Sequence, residues 1–259
     1  MRAGEWISVS FYVLLTLAAA FAALPAGRRV RIVVVGVAGT LFAWSLQFLD
    51  ASMTRDLMPA LLLLIGYWQS GQFFKGASPR VQQAFRAIEQ RWFPWVQSLS
   101  RRRWLGAYLE AAYLWCYALI PLGVIVLHLA GHRESVDRYW TVLLVPTFFC
   151  HGCTVLVPTL PPRLADSDAA MHPEPSGIRS LGTWLLEHLS ITVNTFPSGH
   201  VASSMGAALV LLTVTPVAGL AFLWMAGSIA LATTVLRYHY TLDALLGAAL
   251  AVLAFVLWG

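Results

Sequence analysis

The chain has 259 residues, of which 58% are hydrophobic and only 11% charged, with a formal net charge of +5 and a mean hydropathy of +0.69. A soluble domain of this length carries about 25% charged residues, so the composition excludes an ordinary soluble enzyme, and we expect no nucleic-acid partner. No Asp, Glu, Lys or Arg occurs between Arg138 and Arg163 or between Glu187 and Arg237. Such stretches are long enough to cross a bilayer as helices.

Eight apolar segments follow one another and predict an all-α polytopic membrane bundle of about eight spans. They cover residues 6–24, 30–49, 57–74, 104–130, 139–157, 198–214, 217–236 and 240–258. The first ends at Pro25 and is followed by another apolar segment, so we interpret it as a retained span and not as a cleaved signal peptide. The third is the most polar, because it includes Gln69, Ser70 and Gln72.

A basic segment, residues 75–103, separates the third and fourth spans. It contains Lys75 and six arginines, mixed with aromatic residues such as Phe85, Trp92 and Trp95. Basic residues interleaved with apolar ones at helical spacing favour a helix near 79–97 that lies in the membrane interface, where anionic lipids would bind. An ordinary solvated loop is the alternative.

The connection after the fifth span, residues 158–197, is long and rich in proline, and connections of this length are often functional. Arg163 follows Pro161 and Pro162 at its start. A guanidinium held there could bind two phosphate oxygens at once. Arg163 is therefore a candidate phosphate-binding residue.

The sixth span is preceded by Thr195-Phe196-Pro197-Ser198-Gly199-His200. Ser198 fits the N-cap of that helix. The free backbone N–H groups at Ser198 and Gly199, together with the positive end of the helix dipole, form a natural anion site. His200, in the first turn, would point at the bound anion. A histidine at a lipid–water boundary with no role is the alternative.

The last span is preceded by Arg237-Tyr238-His239-Tyr240-Thr241-Leu242-Asp243. His239 and Asp243 are four residues apart and would share a helix face. A carboxylate that holds one ring nitrogen of a histidine makes the other available as a nucleophile or base. An aspartate in an apolar helix is costly without such a partner. A His–Asp pair that only joins helices is the alternative.

Basic residues are unevenly distributed between the two membrane faces. With eight spans, the face of the N-terminus carries four of them and the other face 13. Arg163, His200 and Arg237 all belong to the second face. Because Lys and Arg favour the cytoplasm, we expect a multi-pass protein of a bacterial plasma membrane with a cytoplasmic active face.

These motifs resemble those of the type 2 phosphatidic acid phosphatase superfamily. Pro197-Ser198-Gly199-His200 is similar to its second motif, and His239 with Asp243 to the end of its third. The resemblance covers residues 100–259. It implies a catalytic membrane domain over 57–259 with a six-helix core, and an N-terminal transmembrane addition over 1–56.

Two departures from the family pattern affect the reaction type. No Lys precedes Arg163 as in the usual first motif, and Thr233 stands where the third motif usually has Arg, which here is Arg237. The compact Arg-x-His pattern resembles the branch of inositol phosphorylceramide and sphingomyelin synthases. That branch transfers a head group to a lipid alcohol, so hydrolysis and transfer both stay open.

The resemblance implies metal-independent hydrolysis of a lipid phosphate or phospholipid, with no cofactor. His239 would attack phosphorus and form a phosphohistidine, with Asp243 orienting its ring. His200 would act as general acid and base. The phosphate oxygens would be bound by Arg163, Arg237, Ser198 and Gly199.

A transporter that uses Glu110 and the His–Asp pair as a proton relay is the alternative outside enzymes. It predicts two similar halves with broken helices, which the sequence lacks. Cys150 and Cys153 have the spacing of a redox pair or of half a zinc site, but no second half follows. Small residues of this kind are also ordinary at helix contacts.

Overall fold

The computed structural model describes residues 1–50, 52–99, 103–165, 184, 188, 190–191 and 193–259. Most of these residues are helical, so the predicted all-α membrane bundle is confirmed. The helices are α1 (Ala3–Phe21), α2 (Ala26–Ser45), α3 (Met53–Leu57), α4 (Pro59–Gly71), α5 (Pro79–Trp92), α6 (Pro94–Leu99), α7 (Arg103–Leu129), α8 (Val136–Leu156), α9 (Pro162–Ala165), α10 (Gly199–Val214), α11 (Pro216–Val235) and α12 (Thr241–Trp258). Two 3-10 turns, Leu46–Phe48 and Arg133–Ser135, complete them.

One end of the bundle is organised around Asp56, whose carboxylate is fully buried. Arg2, at the start of α1, forms an ion pair with it. His128 Nε2, near the end of α7, lies 2.8 Å from its Oδ2, and Arg133 Nε, just before α8, lies 2.9 Å away. A buried carboxylate requires such partners. These contacts fix the starts of α1 and α8 and the end of α7 together.

The helical passes run from this Asp56 end to an opposite end, which we call the site end. The third pass combines α3 and α4, with a break before Pro59. Among the described residues, six helices are long and apolar enough to cross a membrane, and α10 is apolar but shorter. The 13 residues of α4 would rise only about 20 Å, less than the ~30 Å hydrocarbon core. The most polar of the eight predicted spans therefore forms a broken, short pass.

Helix α10 lies at the centre, packed against α7, α8, α11 and α12. Its residues are buried nearly all round, as expected of a helix that is apolar on every side. Close approach to α12 depends on Gly247, where a Cβ would lie 2.5 Å from the carbonyl oxygen of Ser198. Glycine at this contact lets the start of α10 meet the start of α12.

Helices α1 and α4 pack on the outside of α8, and α2 packs on α1 and α4. Phe11 of α1 stacks on Phe148 of α8, with ring centroids 4.4 Å apart. Gln69 of α4 is fully buried and donates to the carbonyl oxygens of Tyr12 and Ile32, both at 3.2 Å. The helices that precede the basic segment are thus joined by buried polar contacts, and aromatic packing attaches them to the rest of the bundle.

Candidate active site

Three segments meet at the site end: 158–163 after α8, 193–198 before α10, and 236–240 between α11 and α12. Backbone hydrogen bonds join the first segment to the other two and the second to the start of α12. These bonds run from Arg163 N to Arg237 O at 3.0 Å, from Asn194 N to Thr159 O at 2.9 Å, and from Ser198 N to Asp243 O at 2.9 Å. The three predicted motifs are therefore neighbours in space.

His239 lies just before α12, and Asp243 lies in its first turn. His239 Nδ1 is 3.5 Å from Asp243 Oδ2. The same oxygen accepts a hydrogen bond from Tyr240 N at 3.0 Å, and the carboxylate is fully buried. His239 N donates to Thr233 O at 2.8 Å, so the residue at the usual arginine position supports the histidine loop through its backbone. This geometry leaves Nε2 of His239 as the nitrogen that can react.

Asn194 is a second partner of Asp243 that the sequence analysis missed. Its Nδ2 donates to Asp243 Oδ2 at 2.7 Å and to Thr159 Oγ1 at 3.1 Å, and it is 1% exposed. A short bond from an amide to a carboxylate fixes the carboxylate in place. Asn194 stands six residues before His200 with no pattern around it, so no local signal could have identified it.

The ring of His200, in the first turn of α10, lies 5.8 Å from that of His239, measured between centroids. Its contacts come from α7, which no motif had indicated. Tyr113 Oη lies 3.3 Å from Nε2, and Cys116 Sγ lies 3.8 Å from Nδ1. The surroundings of His200 are therefore determined by residues that precede it by 84 and 87 positions in the chain.

The start of α10 has the predicted cap. Ser198 is the N-cap, and its Oγ accepts a weak hydrogen bond from Val201 N at 3.5 Å. The ring of a third histidine, His151, lies against Gly199: a Cβ at position 199 would lie 2.9 Å from His151 Nε2. His151, from α8, is 4% exposed, and its Nδ1 has no hydrogen-bond partner among the residues that the structure describes. Only glycine at 199 leaves room for this buried ring beside the predicted anion site.

His239 borders more than one cavity in the described part of the chain. One, of about 50 Å³, is also bordered by Arg163 and His200, together with Tyr67 from α4. The second, of about 30 Å³, is bordered by Arg237 and by side chains of α5. The structure thus brings Arg163, His200 and His239 to one cavity, whereas Arg237 borders the second cavity.

Arg237 also shapes the chain at the end of α11. Its φ is 63°, and its N–H donates to Thr234 O at 3.0 Å. A left-handed residue commonly ends a helix, and in a residue other than glycine it costs about 1–2 kcal/mol. This turn sends the chain back so that His239 reaches the cavities two residues later.

The basic segment forms α5 and α6, divided at Pro94. The apolar side of α5 packs on the protein: the Phe85 ring lies 4.8 Å from Phe196 and 5.3 Å from Tyr240. Gln82 donates to Leu160 O at 3.2 Å and also bonds to the Tyr240 hydroxyl. Helix α5 therefore contacts all three motif segments, and its exposed residues include Arg80 and Arg91.

Glu89 of α5 holds the start of α12. Its carboxylate accepts hydrogen bonds from Thr241 N at 2.9 Å and from Thr241 Oγ1 at 2.7 Å. Burial raises the pKa of Glu89, and the nearby Asp243 charge acts in the same direction, while the Thr241 bonds and Arg237 oppose the shift. A carboxylate at a helix N-terminus is favourable, so Glu89 stabilises the turn that carries His239 and Asp243.

Comparison with known proteins gives one match. Residues 80–257 match a family model described as the PAP2 superfamily. The matched range begins at α5 and includes all seven residues predicted for the site. No curated protein and no solved structure matches the chain. The match begins inside the predicted catalytic domain, and the domain boundary at 56/57 stays a prediction.

Proposed function

This chain belongs to the PAP2 superfamily, whose family model covers more than half of it, and we propose that it is a membrane phosphatase that hydrolyses a lipid phosphate through a phosphohistidine. The superfamily is of the phosphatase and phosphotransferase type, which agrees with the resemblance of the motifs. The particular lipid and the covalent intermediate are part of the proposal.

The observation that carries the proposal is the arrangement of two histidines on one cavity. The rings of His200 and His239 are 5.8 Å apart, the Asp243 carboxylate contacts only the latter, and Arg163 borders the same cavity. One histidine is thereby prepared as a nucleophile and the other as an acid and base. Two histidines can take opposite roles, one as nucleophile and one as acid and base, when their contacts with other groups differ.

In the first half-reaction, His239 Nε2 attacks phosphorus and the bond from phosphorus to the lipid oxygen breaks. His200 gives its proton to that oxygen, so the lipid leaves as a neutral alcohol. Asp243 stabilises the positive charge that develops on the phosphorylated ring. The products are a phosphohistidine, a lipid alcohol and a neutral His200.

In the second half-reaction, the neutral His200 takes a proton from water as the water oxygen attacks phosphorus. The bond from phosphorus to His239 Nε2 breaks, inorganic phosphate leaves, and His200 is again protonated. Arg163 and the backbone N–H groups that follow Ser198 at the start of α10 bind the equatorial oxygens; the N–H of Ser198 itself, expected to be free, is bonded to Asp243 O. Such positioning and charge stabilisation provide most of the catalysis in phosphoryl transfer.

Transfer to a lipid alcohol is the second candidate, and the compact Arg237-Tyr238-His239 pattern supports it. The chemistry differs only in the acceptor, which replaces water in the second half-reaction. Adding diacylglycerol or ceramide to the assay separates the two reactions, because a transferase forms a new phospholipid and a hydrolase continues to release phosphate.

We also propose that the site end faces the cytoplasm and that the basic segment 75–103 contacts anionic lipid head groups. The count of 13 basic residues on this face against four on the other supports the orientation. Lys75, Arg80 and Arg91 are exposed beside the site, where negative head groups would be attracted.

The test is phosphate release from a panel of lipid phosphates in detergent. We expect His239→Ala and His200→Ala to lower turnover by several powers of ten, since residues that act as one unit fail together. His132→Ala, at a half-buried histidine of the Asp56 end, is the matched control and should retain full activity. Retention of more than a few per cent of activity in either site variant would contradict the assigned roles.

A further inference from the structure

A continuous row of side chains connects two of the proposed site residues. The guanidinium carbon of Arg163 lies 4.8 Å from the ring centroid of Tyr238. The Tyr238 ring stacks on that of Tyr113, with centroids 4.2 Å apart and planes at 26°. Tyr113 Oη lies 3.3 Å from His200 Nε2. All four side chains border the same cavity.

We propose that Tyr113 of α7 is a positioning residue for the general acid–base His200, and that its stack on Tyr238 sets the distance between His200 and Arg163. The inference rests on the proposed function, because it assigns a partner to the residue that moves the proton. Tyr113 carries out no bond-breaking step. It acts by holding the His200 ring.

The contacts of the two ring nitrogens indicate which one exchanges the proton. Nδ1 of His200 faces the thiol of Cys116 at 3.8 Å, in the interior beside α7. Nε2 is therefore the nitrogen available to the leaving oxygen, and the Tyr113 hydroxyl shares it. At 3.3 Å this contact is longer than an ordinary O–H hydrogen bond, so a substrate oxygen can compete for Nε2.

A hydroxyl suits this position because it can both donate and accept. When His200 is neutral, Tyr113 O–H donates to Nε2. When His200 is protonated, Nε2–H donates to the Tyr113 oxygen. Tyr113 can therefore keep the ring in one orientation before and after each proton transfer.

The bond to the cationic ring is the stronger of the two, since charge-assisted hydrogen bonds are about twice as strong as neutral ones. Tyr113 thus favours the protonated form of His200, which is the form that acts as the acid. Among the described residues, the other titratable or charged groups facing His200 or its cavity are His239, His151, Cys116, Tyr117, Tyr67, Tyr238 and Arg163. Removing the Tyr113 hydroxyl also removes its side-chain hydrogen bond with Tyr117 and leaves the other side chains in place.

The decisive experiment compares Tyr113→Phe with Tyr108→Phe. Tyr108 is on the same helix and its hydroxyl contacts Ser228 Oγ at 2.6 Å, so the control also loses one hydroxyl and one interhelical hydrogen bond. The pH dependence of kcat is measured for whichever reaction the wild type performs, hydrolysis or transfer. Thermal midpoints of both variants in detergent report on folding.

For Tyr113→Phe we expect kcat to fall about tenfold, with KM within twofold of the wild type. The alkaline limb of the kcat profile should move to lower pH, because the protonated form of His200 has lost its acceptor. Tyr108→Phe should leave kcat and the limb unchanged. Tyr113→Leu, which also removes the stack that supports Arg163, should additionally raise KM.

The inference is overturned if the alkaline limb of the kcat profile does not move in Tyr113→Phe, or if kcat falls equally in Tyr113→Phe and Tyr108→Phe. If Tyr113→Phe is too unstable to purify, 3-fluorotyrosine at position 113 provides the same test without a change of fold. Its oxygen is a weaker acceptor, and the limb should again move to lower pH. A wild type with neither activity would overturn the proposed function and this inference together, whereas an active wild type with an unmoved limb overturns only the inference.

Discussion

Replacing Asp243 by asparagine separates the charge of this residue from its hydrogen bonds. The amide oxygen can still accept from Asn194 Nδ2 and from Tyr240 N, the two donors now 2.7 and 3.0 Å from Oδ2. The amide nitrogen would occupy the place of Oδ1, for which the described residues provide no hydrogen-bond partner. The turn should therefore fold as before, and the lost feature is the negative charge beside His239.

The size of the effect follows from the distance between the two groups. At 3.5 Å and an effective dielectric constant of about 20, two unit charges attract by about 5 kcal/mol. Because 1.36 kcal/mol corresponds to a tenfold change in rate, we expect kcat to fall by roughly three powers of ten. KM should change little, since the charge develops only after His239 attacks phosphorus.

The control is Asn194→Ala, which keeps the charge and removes one hydrogen bond to it. Loss of a bond to a charged group costs about 1.5–3 kcal/mol, so its kcat should fall only about ten- to a hundredfold. Steady-state phosphate release, with thermal midpoints measured in detergent, distinguishes the two variants. An Asp243→Asn enzyme within tenfold of the wild type, or equal losses in the two variants, would refute this account of the charge.

Three further outcomes are expected. Activity should survive EDTA and be blocked by vanadate, which resembles five-coordinate phosphorus; loss on chelation that Mg²⁺ or Zn²⁺ restores would contradict the phosphohistidine route. Glu89→Gln should lower kcat about tenfold, because the amide cannot accept both hydrogen bonds from Thr241. The pKa of Glu89 is raised in the folded protein, so the wild type loses stability as pH rises above the pKa of Glu89 in the unfolded chain. The thermal midpoint of Glu89→Gln should therefore rise relative to that of the wild type between pH 4 and 7. A difference between the two midpoints that does not change with pH would count against the buried carboxylate. On intact cells, a membrane-impermeant thiol reagent should label Glu134→Cys, at the Asp56 end, and should not label Gln83→Cys, at the site end; both positions are exposed. Labelling of Gln83→Cys would reverse the proposed orientation.

Much of the site could be predicted because its signals are local. His239 and Asp243 are four residues apart, and Ser198, Gly199 and His200 form the start of one helix, so neighbours in sequence are neighbours in space. The third pass was less predictable: its polarity marked it as different from the other spans but did not indicate the break before Pro59. The apolar pattern of α5 predicts an apolar face, and the structure adds that Phe85 on this face packs on Phe196 and Tyr240. A pattern shows that a face is apolar but not what covers it.

By itself, the sequence determined the all-α membrane fold and the motif residues, because long charge-free stretches, caps and helical spacing depend on adjacent residues alone. The tertiary structure decided which cavity beside His239 each arginine borders, and it brought Asn194, Glu89 and Tyr113 to the site. These contacts join positions 49, 152 and 87 residues apart. They depend on how α5, α7 and α10 pack, and a single Asn, Glu or Tyr carries no periodicity from which that packing could be inferred.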